Sequence, residues 1–150
     1  MSISYDKFVG AFLSKITEFD LLTLEDNDRH TIVDGYLRRA VSSFQHICKY
    51  DLVGAEDDEN RVFNIELEDD DDITEIIDIV SEGMVVNWLK PYVNRQENLE
   101  LVMNTRDFTT YSSAELLYRI GERFRIAQAN FIRMMRDYSY NHGDLTVLHL

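Results

Sequence analysis

The sequence predicts a mainly α-helical fold: a small bundle of four main helices with an extended acidic loop or short strand and an extended C-terminal tail. Apolar side chains recur every three to four residues in four stretches, the spacing of one helix face. The 150-residue chain is 45% hydrophobic, enough for one core, and its composition, with one Pro and six Gly, suggests neither disorder nor a solenoid. We expect one helical domain over residues 1–143, followed by a tail over 144–150.

Two amphipathic helices are predicted at the start of the chain. The first runs from about Ser4 to Glu18 and has one broad apolar face. A polar break, "LEDNDRH", follows, in which Asp26 or Asp28 can cap a second helix. The apolar spacing of that second helix continues to the neighbourhood of Tyr50.

An acid-rich segment over residues 52–72 separates the second and third helices. Within it, "RVFNIEL" alternates apolar and polar side chains, the period of a strand with one covered face. The segment therefore predicts a short strand or an extended hook.

The third helix begins in "ELEDDDDITEIIDIV", where Asp72 and Glu75 have the spacing of a capping box. It is expected to run through Trp88, and Pro91 ends or kinks it. Its apolar residues form two stripes, so it lies either at the centre of the domain or under another subunit.

Four consecutive aspartates would lie at the positive end of this helix, where the macrodipole favours acids. They are Asp69, Asp70, Asp71 and Asp72. A calcium-binding EF-hand is excluded, because counting from Asp69 puts Thr74 and Val80 where that loop needs Gly and Glu. A solvated helix start is the favoured interpretation, with adventitious divalent binding as the alternative.

The last helix is long, opens on a capping box of Ser112 and Glu115, and stops at Gly143. Its apolar residues follow a heptad-like pattern, typical of a core stripe or of a coiled coil. The helix is rich in arginine, with Arg119, Arg123, Arg125, Arg133 and Arg136. These arginines could contact nucleic acid, pair with acids of a neighbouring subunit, or keep the helix solvated.

The C-terminal tail alternates apolar side chains and has no obvious hairpin partner in the chain. It comprises Asp144, Leu145, Thr146, Val147, Leu148, His149 and Leu150. An unpaired strand can bind a sheet edge of another protein by strand addition, so the tail is a candidate docking segment. The alternative is that it folds back on its own domain near "RVFNIEL".

Charge limits the classes of partner. The formal net charge is −13, and residues 51–82 hold 14 of the 28 acids but only Arg61 among the 15 Lys and Arg. Such a surface repels DNA and anionic membranes, which bind through cationic side chains. The single Cys48, the absence of a signal-peptide pattern and the lack of a spanning segment predict a cytosolic protein with no membrane partner.

No catalytic or cofactor-binding signature occurs, and we expect no enzyme activity, no cofactor and no metal site. The phosphate-binding, dinucleotide-binding, serine hydrolase and zinc protease motifs are all missing from the sequence. His46 and Cys48 are two residues apart on a predicted helix and so point in different directions. His142 and His149 flank the tail without a recognisable ligand spacing.

The order of elements, together with the stretches "WLKPYVNRQENL" and "MNTRDFTTYSSAELL", resembles the head–tail connector (adaptor or neck) proteins of tailed bacteriophages. The resemblance implies a homo-oligomeric ring, typically of twelve copies, that lies beneath the portal protein and above a stopper or tail-completion protein. DNA would pass through the lumen without specific binding. It also implies a virion component, assembled in the host cytoplasm, whose C-terminal segment engages the portal.

On this interpretation, acids and arginines of neighbouring subunits are candidate contacts. The acids are Asp69, Asp70, Asp71 and Asp72, and the arginines are Arg119, Arg123, Arg133 and Arg136. A second hypothesis is an acidic helical regulatory or inhibitor protein that binds a basic partner, which would need acids spread across one face of a monomer.

Overall fold

A computed structural model describes residues 2–16, 26–67, 69–94 and 113–142. The described residues form four α-helices: α1 (Tyr5–Lys15), α2 (Asp26–Gln45), α3 (Asp70–Asn94) and α4 (Ser113–His142). They also form three two-residue strands, β1 (Ile3–Ser4), β2 (Glu56–Asp57) and β3 (Val62–Phe63). The predicted mainly helical bundle with a short acidic strand is confirmed.

Helix α3 is the centre of the bundle, since it packs against α1, α2 and α4. Trp88, Met84 and Val80 of α3 are almost fully buried, and the Trp88 ring meets Phe12 of α1 edge-on at 6.1 Å between centroids. The two apolar stripes of α3 are therefore covered within the chain, which decides between the two predicted explanations in favour of a central helix.

Close packing of α3 on its neighbours depends on a glycine. A Cβ atom on Gly83 would lie 2.7 Å from the Phe131 ring of α4 and 3.0 Å from Cβ of Ala40 in α2. Because real Cβ atoms do not approach that closely, Gly83 lets three helices meet at one point.

The short sheet joins the N-terminus to the acidic segment. Its order is β1-β3-β2 and both pairs are antiparallel, with Phe63 opposite Ile3 on one side and Glu56 on the other. Phe63 is fully buried between the rings of Tyr5 and Phe8. Alternating apolar residues in "RVFNIEL" thus place one aromatic anchor under α1.

Helix α2 ends at Gln45, five residues before the predicted end near Tyr50. The Gln45 side chain holds the turn that follows: its Oε1 accepts hydrogen bonds from the backbone N–H groups of Leu52 and Val53, and its Nε2 donates to the Tyr50 carbonyl.

Helix α3 also differs from its predicted bounds. Asp69, not Asp72, caps it, because an Asp69 carboxylate oxygen accepts from the Asp71 N–H at 3.2 Å. At the other end α3 continues through Pro91 to Asn94, so Pro91 does not end it.

The remaining predicted boundaries are settled only in part. Ser4 caps α1, which ends at Lys15 with Ile16 as its C-cap, ahead of the predicted Glu18. The predicted cap Ser112, the stop at Gly143 and the tail over 144–150 lie outside the described residues.

Candidate functional site

The acidic hook, residues 51–67, is fixed to the bundle by its one basic residue. The Arg61 guanidinium holds both carboxylate oxygens of the buried Asp34, at 2.8 and 2.9 Å, and also reaches Asp6 at 2.8 Å. Hydrogen bonds to Asp34 and Asp6 raise the pKa of Arg61 above its already high value. Arg61 has a φ of 55°, a left-handed backbone that is uncommon for a side chain of this size.

A second contact ties the hook to α1 and α2. The Tyr5 hydroxyl donates to Asp58 at 2.9 Å, and Arg38 lies 3.3 Å from the same carboxylate oxygen. Burial raises the pKa of Tyr5, as does its hydrogen bond to Asp58. Part of the negative charge of the hook is thus balanced inside the molecule.

The four consecutive aspartates do not form one surface. Asp69, Asp70 and Asp71 are exposed, whereas Asp72 is buried and accepts a hydrogen bond from the Tyr50 hydroxyl at 2.8 Å. Lys49 Nζ lies 3.5 Å from the same oxygen of Asp72. The hydrogen bond from Tyr50 and the charge of Lys49 lower the pKa of Asp72.

The arginines of α4 are divided between the inside and the outside of the bundle. Arg123 is mostly buried, with its guanidinium 3.7 Å from Glu82 Oε1, and Glu82 also binds Lys15 at 2.9 Å. Arg119, Arg133 and Arg136 are exposed. Within the part of the chain that the structure describes, neither Arg133 nor Arg136 forms an ion pair.

Large apolar side chains accompany the exposed arginines on the side of α4 that faces away from the bundle. At about 100° per residue, the set lies within about one third of the helix circumference, opposite the buried Ala127 and Phe131. We call this set the outer face of α4; it comprises Tyr118, Glu122, Arg125, Ile126, Ile132, Arg133, Arg136 and Tyr140, with Glu122 paired to Arg125. Tyr118 is 67% exposed and Tyr140 is 73% exposed. Tyrosine and arginine are enriched in protein–protein interfaces, so this face is a candidate interface.

An open groove of opposite charge, acidic where the outer face is basic, runs along α1 and α3. Ala11 and Ile77 provide its apolar wall, while Asp71, Glu75 and Asp78 form an acidic stripe one to two turns long. We call it the acidic groove. Asp78 is paired with Lys15 at 2.9 Å, and Glu75 is hydrogen-bonded to His142 at 3.0 Å.

Side chains from three segments meet where α2 and α4 end and α3 begins. Asp72, Glu75 and His142 each place one possible ligand atom within 4.8 Å of the others. Beside them, Tyr138 is fully buried, with its hydroxyl 3.7 Å from Cys48 Sγ. Burial raises the pKa of the Cys48 thiol, which disfavours the reactive thiolate.

Several of these contacts have no signal in the sequence. The inward contacts of Asp72, Glu82 and Arg123 join residues 20 to 70 positions apart, which no local pattern reveals. Arg61 had a signal, since it is the one basic residue in the acid-rich segment 51–82.

Comparisons of the chain with protein-family models, with curated protein sequences and with solved structures produced no match. Among the described helices, none combines the length and the apolar character needed to cross a bilayer.

Proposed function

We propose that this protein is a structural, non-enzymatic subunit of a head–tail connector in a tailed bacteriophage, which assembles head-to-tail into a ring. The observation that carries the proposal is the pairing of two unlike surfaces on one chain: the basic, apolar outer face of α4 and the acidic groove of α1 and α3. The resemblance to head–tail connectors supplies the biological setting.

The two surfaces cannot meet within one molecule. Helix α4 packs on α3 through its buried side, so its outer face points away from the groove that α3 lines. A second copy can bring its outer face to the groove, and its Arg133 and Arg136 would then approach Asp71 and Asp78. Contact between two different patches is heterologous, and repetition of such a contact closes a ring when the rotation fits.

A virion ring would also use the charge of the hook. DNA that passes through a lumen must not adhere to its wall, and a net charge of −13 opposes adhesion. In this proposal the ring, expected to hold twelve copies, binds the portal protein above and a stopper or tail-completion protein below.

Two blocked variants test the heterologous contact. Ile126→Glu/Ile132→Glu places two charges on the outer face, and Asp71→Arg/Thr74→Arg reverses and fills the groove, all at exposed positions of the helices. Each variant alone should be monomeric by light scattering. Mixed in equal amounts they should form a dimer, because each supplies the surface that the other lacks.

Gln128→Glu/Asn141→Glu is the matched control, since it adds two negative charges to exposed positions of α4 outside the outer face. It should assemble like the parent chain. Assembly by all the single variants, or no dimer on mixing, would show that these two surfaces do not form the subunit contact.

The place in the virion is tested by electron microscopy of the protein mixed with the portal ring encoded alongside it. An added ring with the portal's axial symmetry is expected. Deletion of residues 144–150 should abolish that docking and leave the helical circular dichroism unchanged. If the protein instead stays monomeric, does not bind the portal and binds a basic protein in a salt-sensitive manner, the result would favour the acidic regulatory or inhibitor protein.

A further inference from the structure

We infer that Asp72, Glu75 and His142 form a binding site for a divalent transition-metal ion that joins the start of α3 to the end of α4. The three ligand atoms lie within 4.8 Å of one another. In a tetrahedral zinc site the ligands are about 3.4 Å apart, given metal–ligand distances of about 2.1 Å. The widest separation must therefore shrink by about 1.4 Å to close the site, which side-chain rotation can provide.

The ligands are far apart in the sequence, yet the helices bring them to one side of the bundle. Asp72 and Glu75 are three residues apart in α3, so their carboxylates lie on the same face of one helical turn. His142 is the last residue of α4, and its Nε2 is already 3.0 Å from Glu75 Oε2. This separation of 67 residues explains why no sequence motif marks the site.

The donor set determines which ions fit. One imidazole nitrogen with two carboxylates suits zinc, manganese, iron(II) or cobalt(II), and three protein ligands leave a position for water or for another group. Calcium and magnesium are less suitable, because they prefer six or more oxygen ligands.

Neighbouring side chains hold two of the ligands in place. The Tyr138 ring lies against the His142 ring with centroids 4.5 Å apart, and Tyr138 is itself fixed edge-on to Phe44. The Tyr50 hydroxyl donates to Oδ2 of Asp72, and Oδ1 forms no hydrogen bond within the described part of the chain. Hydrogen bonds that orient a ligand in this way are characteristic of metal sites.

Lys49 is the group that opposes a cation at this position. Its ammonium lies 3.5 Å from Asp72 Oδ2, but its side chain is 32% exposed and can turn into solvent. The exposed Asp69, Asp70 and Asp71 precede the site and increase the local concentration of cations.

The first test is isothermal titration of the full chain, stripped with a chelator, with zinc, manganese, cobalt, calcium and magnesium separately. The buffer is held above the ordinary imidazole pKa of about 6.5, so that the ring nitrogen is free to bind. We expect one zinc or cobalt ion per chain, and a cobalt absorption spectrum typical of four or five ligands.

Conservative variants identify the ligands. Glu75→Gln and His142→Gln should each weaken zinc binding at least tenfold, with unchanged helical circular dichroism. Asp72→Asn should do the same, but it also disturbs Tyr50 and Lys49, so Glu75→Gln decides the matter if Asp72→Asn unfolds.

Two histidine controls separate this site from others. His46→Ala removes an exposed histidine after α2, and His149→Ala removes the tail histidine; both should bind zinc as the parent does. Equal zinc affinity in the parent, Glu75→Gln and His142→Gln would overturn the inference, as would the absence of one-to-one binding. Loss in His149→Ala alone would assign the ion to the tail.

Discussion

The acidic hook and the outer face of α4 differ in whether their charged side chains are paired within the molecule. In the hook, Arg61 and Asp58 are bonded to partners on α1 and α2, and Phe63 is buried beneath them. On α4, Arg133 and Arg136 have no ion-pair partner among the described residues, and large apolar side chains stand exposed beside them. Removal of one partner from a buried charge pair destabilises the fold, whereas unpaired charges beside apolar groups are available to another molecule.

The largest effect should come from breaking the internal pairing of the hook. Arg61→Ala removes both hydrogen bonds to Asp34, which is 8% exposed, and leaves that carboxylate buried without its partner. We expect a loss of about 3 kcal/mol in the free energy of unfolding, the range found when one partner of a largely buried pair is removed. Urea denaturation measures it.

Arg133→Ala is the matched control for Arg61→Ala, because it removes the same side chain from an exposed position without an ion pair in the described part of the chain. Equal losses in the two variants would contradict the distinction between paired and unpaired arginines. Restoration of the parent's stability by Asp34→Asn in the Arg61→Ala background would support it, since the buried charge is then removed.

The next prediction compares a glycine of α3 that packs against the buried side of α4 with a glycine in α4 itself. Gly83→Ala places a methyl group against the Phe131 ring on the buried side, and we expect a loss of about 1–3 kcal/mol from overpacking. Gly121→Ala lies on α4 itself with no atom within 4 Å of the new methyl group, so it should gain up to about 1 kcal/mol. Thermal unfolding of both variants gives the signs; a gain in Gly83→Ala would mean that α4 is less closely packed than described.

Local patterns predicted the helices because an apolar face needs only side-chain spacing. They failed at the end of α2, where Gln45 bonds to residues seven and eight positions further on, and at the start of α3, where four consecutive aspartates offer several possible caps. The candidate sites were predictable in composition, since the arginines of α4 and the four aspartates are visible in the sequence. The direction of each side chain could not be predicted. Arg123 and Asp72 point inward to Glu82 and Tyr50, which are distant in the sequence.

A smaller effect, on how stability changes with pH, should distinguish the buried Asp72 from the exposed aspartates beside it. The pKa of Asp72 is lower in the folded chain than its ordinary value, so its contribution is fully present above the unfolded pKa of about 3.9 and is lost as pH falls through the folded pKa. Asp72→Asn should therefore reduce stability at pH 7 and flatten the fall in stability below about pH 4. Urea denaturation between pH 7 and pH 3 measures both.

Asp70→Asn is the control for Asp72→Asn, because Asp70 is exposed in the same helical turn. It should keep the shape of the parent's pH profile. A parent-like profile in Asp72→Asn would show that acids elsewhere in the chain cause the acid sensitivity.

Substitutions on the outer face should have the smallest effect on the free energy of unfolding, which distinguishes a surface used for binding from one used for folding. Arg136→Ala should change the free energy of unfolding of the isolated chain by less than about 0.5 kcal/mol, as expected for an exposed position. Its effect on self-association should be larger, with weaker association that also becomes less sensitive to salt, because one screened charge contact is lost. Sedimentation at low and high salt measures this, with Gln128→Ala as the control on the same helix. If the variant folds like the parent but assembles less well, the outer face serves contacts between subunits. If the variant loses stability instead, the outer face contributes to the fold, as the hook does.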